Sequence, residues 1–142
     1  MKIIEIVAIS ALAGWVSAAV VPVLDKQQKP HSYLTRSTQG FSGDMTFYDA
    51  SVGLGSCGTQ GENNQMLVAL AADVMQNGQD SNDNPKCFKK INISYKGKTH
   101  QGMIVDTCPE CKGGSIDVTE ALFEKFAPAV VGRLHGVKWS YA

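Results

Sequence analysis

Two aspartates and a pair of cysteines carry most of the chemistry this sequence offers. Asp106 and Asp117 flank Cys108-Pro109-Glu110-Cys111 in the stretch VDTCPECKGGSIDVTEALF, from Val105 to Phe123. Carboxylates at such positions can act as general acids and bases, or as hydrogen-bonding partners for a hydroxyl-rich ligand. A C-x-x-C can be a redox couple, half of a zinc site or a cross-link. A redox pair needs its first cysteine at the start of a long helix, whose N-terminus stabilises the thiolate. Here Lys112-Gly113-Gly114-Ser115 follows at once and breaks any such helix. Zinc needs four ligands, typically in two close pairs. Cys57 and Cys87 are too far apart to make a second pair, and His31, His100 and His135 are scattered. No metal is therefore expected, and the C-x-x-C reads as a cross-link beside a turn.

The aspartates sit in apolar surroundings. Asp106 ends the run Met103-Ile104-Val105, and Asp117 lies between Ile116 and Val118. A carboxylate there is costly to bury without partners, so it must face a groove or accept hydrogen bonds. Structural roles compete with functional ones. Asp117 fits a helix N-cap, and Asp106 fits a turn held by backbone N–H groups.

The elements that would position these residues are short. DMTFYDA contains strand formers at Thr46, Phe47 and Tyr48, and SVGLGSCG is a glycine-rich bend. QMLVALAADVM reads as a strand running into a helical turn, and QNGQDSNDNP as a polar loop. KCFKKINISYKGKTHQGMIVD reads as a hairpin with Lys96-Gly97-Lys98 at its turn. SIDVTEALFEKFAP starts extended and becomes a short helix capped by Asp117 or Thr119, and GVKWSY is a last strand. Short strands at even spacing with little helix predict an all-β fold, a small closed barrel with one or two short helices.

The first residues, MKIIEIVAISALAGWVSAAVV, have the layout of a secretory signal peptide, with cleavage expected near Ala18 or Ala19. The expected organisation is a signal peptide over 1–19, a polar flexible leader over 20–42, and a barrel domain over 43–142. The chain carries 13 basic and 13 acidic residues, and removing Lys2 and Glu5 leaves it neutral. Neutrality and the lack of a basic stripe argue against nucleic acid as a partner, and no membrane attachment is expected after cleavage. Four cysteines in a small secreted chain predict two disulfides, with three pairings open. Long-range pairing of Cys57 or Cys87 with the C-x-x-C restricts the unfolded chain most and is preferred; Cys57–Cys87 with a tight Cys108–Cys111 ring stays open. Asn92-Ile93-Ser94 is an N-glycosylation sequon.

GDMTFYDASVGLGSCG, NPKCFKKINISYKGK, MIVDTCPECKGGSIDVTEALFEKFAP and GVKWSY, in this order and spacing, resemble the secreted fungal expansin-related proteins. That group includes the loosenins and other RlpA-like chains, with barwin more distant. The resemblance spans about Gly43 to Tyr141. It implies a six-stranded double-psi β-barrel, barwin- and expansin-like, with an open groove that binds cell-wall polysaccharide: β-glucan, cellulose or chitin. By the same resemblance Thr46 and Tyr48 match the family's T-x-Y strand and Asp106 its V-x-D aspartate. Asp117 matches the aspartate on which wall loosening depends, here in Asp117-Val118-Thr119 rather than D-L-S. Asp117 and Asp106 are thus the candidate catalytic residues, and Thr46, Tyr48, Asp106 and Asp117 the candidate substrate-binding set. The implied function is non-hydrolytic loosening by a secreted, extracellular monomer that needs no cofactor.

Two other functions compete. Family-45 endoglucanases share the barrel and use two aspartates roughly 6.5–9.5 Å apart in an inverting mechanism. Asp49 follows Tyr48 and is a candidate second carboxylate, but alternation turns it to the other face, and it also reads as a turn residue. Small secreted barrels of this kind also act as protease inhibitors or effectors, so a host or secreted protein is the alternative partner. The loop from Gln76 to Pro85 would then form part of the grip, and Phe47, Trp139 and Tyr141 are expected mainly in the core.

Overall fold

The computed structural model describes residues 40–142. The segments expected as signal peptide and most of the leader, with His31, lie outside the described residues. Six strands form a closed barrel: β1 (Phe41–Tyr48), β2 (Leu67–Ala71), β3 (Lys90–Tyr95), β4 (Lys98–Cys108), β5 (Ile116–Thr119) and β6 (Leu134–Tyr141). Their order around the barrel is β1-β5-β2-β4-β3-β6, with β6 pairing back onto β1. The pairs β1–β5 and β2–β4 are parallel and the rest antiparallel. Strand β1 takes in Phe41 and Ser42, two residues that composition alone left to the leader.

Alternation fills the interior. Met45, Val68, Leu70, Ile91, Ile93, Ile104, Ile116 and Val118 point inward and are essentially inaccessible. Each such side chain contributes about 1.5–3 kcal/mol on burial, so the barrel interior dominates the stability of the fold. Two one-turn helices close its ends: α1 (Ala72–Met75) after β2 and α2 (Glu120–Phe123) after β5. Leu122 and Phe123 from α2 enter the core, where Phe123 packs on Phe47 with ring centroids 5.0 Å apart. Gly102 makes room for this plug. A Cβ there would lie 2.8 Å from Leu122 and 2.5 Å from Val68.

The Lys96-Gly97 turn joins β3 to β4, and both residues have positive φ, at 46° and 81°. Glycine at the second position suits the tight hairpin that matches strand twist. A second close approach fixes β5 beside β1. The Cβ positions of Gly43 and Gly114 fall 2.3 Å from Ser115 N and 2.4 Å from Ser42 O, so the two segments cross backbone to backbone. Trp139 Nε1 donates to the Gly114 carbonyl at 2.8 Å and the Asp44 N–H to Ser115 Oγ at 3.1 Å, locking that crossing.

The disulfides correct the preferred pairing. Cys57 bonds to Cys87 and Cys108 to Cys111, with Cα separations of 5.6 and 5.3 Å. Loop entropy favours long closures in general, but geometry decides which sulfurs meet. The Cys57 N–H donates to the Val105 carbonyl at 3.1 Å, and the Phe88 N–H to the neighbouring Ile104 carbonyl at 2.8 Å. Both chain segments are therefore pinned to successive carbonyls of β4, which delivers Cys57 to Cys87. Cys108 is left to the turn beyond it.

Candidate functional site

Strand register assembles the predicted residues. Thr46 on β1 is opposite Asp117 on β5, Asp117 is opposite Ala69 on β2, and Ala69 is opposite Asp106 on β4. Thr46, Asp117, Ala69 and Asp106 form one row across four strands. Two strand spacings put the aspartate backbones about 10 Å apart, with the small Ala69 between them. Tyr48 lies two residues beyond Thr46, on the same face.

Asp106 reaches this face through a bulge. Strict alternation would send it inward with Ile104. The pairing passes from Val68↔Ile104 to Ala69↔Asp106, so β4 carries one extra residue, Val105. The extra residue rephases the strand and turns Asp106 outward. Asp106 Oδ1 then accepts from the N–H groups of Ser56 and Thr107, each at 2.7 Å. The loop above fits closely, since a Cβ on Gly55 would lie 2.5 Å from the Val105 carbonyl. Asp106 thus holds the loop and faces the row at once.

Asp117 sits in β5 between buried Ile116 and Val118, not at a helix N-cap. The N-cap of α2 is Thr119, whose hydroxyl does not cap; it donates to the Gln65 carbonyl and accepts from the Leu67 N–H at 3.2 Å. Thr46 Oγ1 donates to Asp117 Oδ1 at 2.8 Å. Burial pushes the Asp117 carboxyl above the ordinary carboxylate range, against the Thr46 hydroxyl, the Val118 N–H and the positive charge of Arg133. A carboxyl so placed holds its proton to higher pH than an open one, and it can donate or accept a hydrogen bond according to its protonation. Tyr48 is half-buried, and its hydroxyl is held far above its ordinary value, first by burial and then by the charges of Asp106 and Asp117. It therefore stays neutral beside the two carboxylates.

Beside Asp117 an open cleft of about 290 Å³ runs between Thr46, Ile116, Arg133, Glu110 and the Cys108–Cys111 disulfide. Arg133 Nη1 donates to Asp44 Oδ2 at 3.2 Å, and His135 Nδ1 lies 2.9 Å from Asp44 Oδ1. His135 and Arg133 hold the Asp44 carboxyl below its ordinary range, the His135 contact first. Sequence reasoning missed Asp44, Glu110 and Arg133. Asp44 was reachable, because Asp44, Thr46 and Tyr48 alternate along β1; Arg133 follows a loop with no period to read.

Asp49 does not join the row. It ends β1 in a turn, where Oδ1 accepts from the Ser51 N–H at 2.9 Å, the Ser51 hydroxyl and Asn63 Nδ2 at 2.8 Å. These donors hold its carboxyl below the ordinary range, the Ser51 hydroxyl first. Asn92 is on β3, outside the row; its Oδ1 accepts from Gln101 Nε2 at 2.9 Å, and it lines a separate depression with Ser42, Ser94 and Lys138. Trp139 is buried and stacks on Phe41 at 4.0 Å, as the core expectation for the strand aromatics required.

No family model matches the chain. It is 40% identical over 114 residues to "Allergen Asp f 7 homolog" of Arthroderma benhamiae, covering 70% of this chain and 38% of that protein. It is 35% identical over 105 residues to the papain inhibitor of Streptomyces mobaraensis, covering 72% of each. The chain thus spans well under half of the first relative and most of the second. The structure of Streptomyces papain inhibitor superposes with a TM-score of 0.67 at 33% identity, covering 73% of this chain and 94% of that one. A Clavibacter michiganensis expansin, solved in complex with cellohexaose, shares the fold with a TM-score of 0.61 at 17% identity, covering 72% of this chain and 50% of that one. Closed mixed barrel, sequence motifs and relatives agree, and the chain belongs to the expansin-related family of double-psi β-barrel proteins, the family of the Streptomyces papain inhibitor.

Proposed function

We propose that this protein binds an extended cell-wall polysaccharide along the row Thr46–Asp117–Ala69–Asp106 and separates adjacent chains without cleaving them. The observation that carries this reading is the half-buried Asp117, held by Thr46, lining an open cleft and sharing one strip across the strands with buried Ala69 and with Asp106. Asp117 and Tyr48 hydrogen-bond sugar hydroxyls, and Asp106 fixes the loop that borders the strip. An inverting hydrolase would need a second carboxylate free to activate water. Asp49 is occupied in its turn, and Asp106 commits one oxygen to two backbone donors, so neither suits the base. The expansin with bound cellohexaose makes β-1,4-glucan the first ligand to try.

Secretion, loss of residues 1–19, a leader over 20–42, glycosylation at Asn92 and a monomeric extracellular state complete the proposal. The decisive test incubates the processed protein and Asp117→Ala with cellulose, chitin and β-glucans. Pull-down, mechanical weakening and new reducing ends are measured on each. Binding and weakening that vanish in the variant, with no reducing ends, support the reading. Absence of both on every glycan overturns it, and reducing ends lost in the variant replace it with hydrolysis.

A second reading has its own support. The relative that matches over 72% of both chains is a papain inhibitor, so inhibition of a papain-like cysteine protease is the alternative function.

A further inference from the structure

The groove leaves several exposed apolar side chains unexplained, among them Phe88, Val130 and Val131, and one pair of them sits on a braced loop. Val52 and Leu54, in the loop after β1, are 82% and 72% exposed. They are two residues apart and separated only by Gly53. Aliphatic side chains gain little from a hydroxyl-covered glycan and much from an apolar pocket.

The loop is held rigid from several sides. Asp49 Oδ1 accepts from the Ser51 N–H, and Asn63 clamps the turn by accepting from the Ala50 N–H at 2.9 Å while donating to Asp49. Gln60 Nε2 donates to the Ser51 carbonyl at 2.8 Å, and Leu54 bridges Gln60. The Gly55 N–H donates to the Thr59 carbonyl at 2.9 Å. Below, Ser56 is tied to Asp106 and Cys57 to Cys87. A loop braced at both ends with two aliphatic side chains outward loses little freedom on binding, which is how rigid inhibitor loops gain affinity.

We propose that the 51–55 loop is the protease-binding edge of this protein, inserting Val52 and Leu54 into apolar subsites of the active-site cleft of a papain-like cysteine protease. The proposal rests on the second functional reading, and the inhibitor relationship over 72% of both chains selects the partner class. That cleft takes extended peptide, and the protruding Val52-Gly53-Leu54 segment presents its side chains without needing the groove. Tyr48 and Asp106 stand at the foot of the loop, so a protease on the edge would overhang the polysaccharide strip.

The test measures inhibition of papain by wild type, Val52→Ser/Leu54→Ser and Val130→Ser, the last an exposed aliphatic residue away from the loop. The expected result is inhibition by wild type, at least about a hundredfold weaker in the double variant and unchanged in Val130→Ser, in keeping with the cost of truncating central apolar anchors. An unchanged melting temperature and unchanged cellulose pull-down in the double variant tie the loss to the protease contact. Inhibition by wild type that the double variant retains overturns the loop assignment and leaves the inhibitor reading intact. No inhibition by wild type overturns both. Loss of glycan binding in the double variant, with inhibition preserved, assigns the loop to the polysaccharide instead and overturns the proposal.

Discussion

Replacing Thr46 with valine tests the central pair. The substitution keeps β-branching and size and removes the hydroxyl that donates to Asp117 Oδ1 at 2.8 Å. A hydrogen bond to a charged group is worth about 1.5–3 kcal/mol when buried, and the half-open site lets water replace part of it, leaving about 1 kcal/mol. For a folded region of roughly 100 residues that lowers the melting temperature by about 5 °C. The effect must depend on pH. Asp117 in the folded protein already holds its proton more tightly than an ordinary carboxyl, because of burial. The folded state therefore binds more protons than the unfolded one, and stability falls as pH rises through the window between the ordinary value and the raised one. Thr46 opposes the raised value, so its removal widens the window and deepens the fall. Thermal melts at pH 3 and pH 7 should show the larger loss at pH 7, and Thr46→Ser should recover most of it. Equal losses at the two pH values would refute the claim that Thr46 stabilises an ionised Asp117.

Other substitutions separate structural from binding roles. Asp106→Ala leaves the Ser56 and Thr107 N–H groups without their acceptor and should cost about 1–3 kcal/mol in denaturant melts, whereas Asp117→Ala should abolish glycan pull-down at little cost in stability. Removing the Cys57–Cys87 bond should cost about 3–4 kcal/mol, and removing the short Cys108–Cys111 bond about 2 kcal/mol, since the longer closure restricts the unfolded chain more; paired alanine variants and urea midpoints check the order. Gly114→Ala should fail to fold or lose several kcal/mol, because the added carbon meets the Ser42 backbone rather than a movable side chain.

Much of the barrel could be read from local pattern. The alternation through Thr46, Phe47 and Tyr48 gave β1 its two faces, Lys96-Gly97 marked the β3–β4 hairpin, and Ile116 to Phe123 turned from strand to helix where expected. The gathering of Thr46, Asp106 and Asp117 came from family resemblance, because their shared row depends on pairing among strands distant in sequence. The bulge at Val105 was invisible: no glycine or proline marks it, and the Val105 carbonyl bonds to the Cys57 N–H, a contact distant in sequence. The same contact explains the disulfide correction. The entropy of the unfolded chain was weighed in the sequence, but backbone bonds made only in the folded barrel chose the partners.

Closure of the barrel also limits how anything can hold this protein. Each described strand has a neighbour on both sides, so none of them presents a wholly free edge. A partner peptide finds no edge strand among them to extend along its full length. Recognition must come through side chains on the sheet faces and through loops. Association and inhibition should accordingly respond to side-chain substitution, at positions such as Asp117 or Leu54, and stay insensitive to the backbone pattern that governs strand-adding partners.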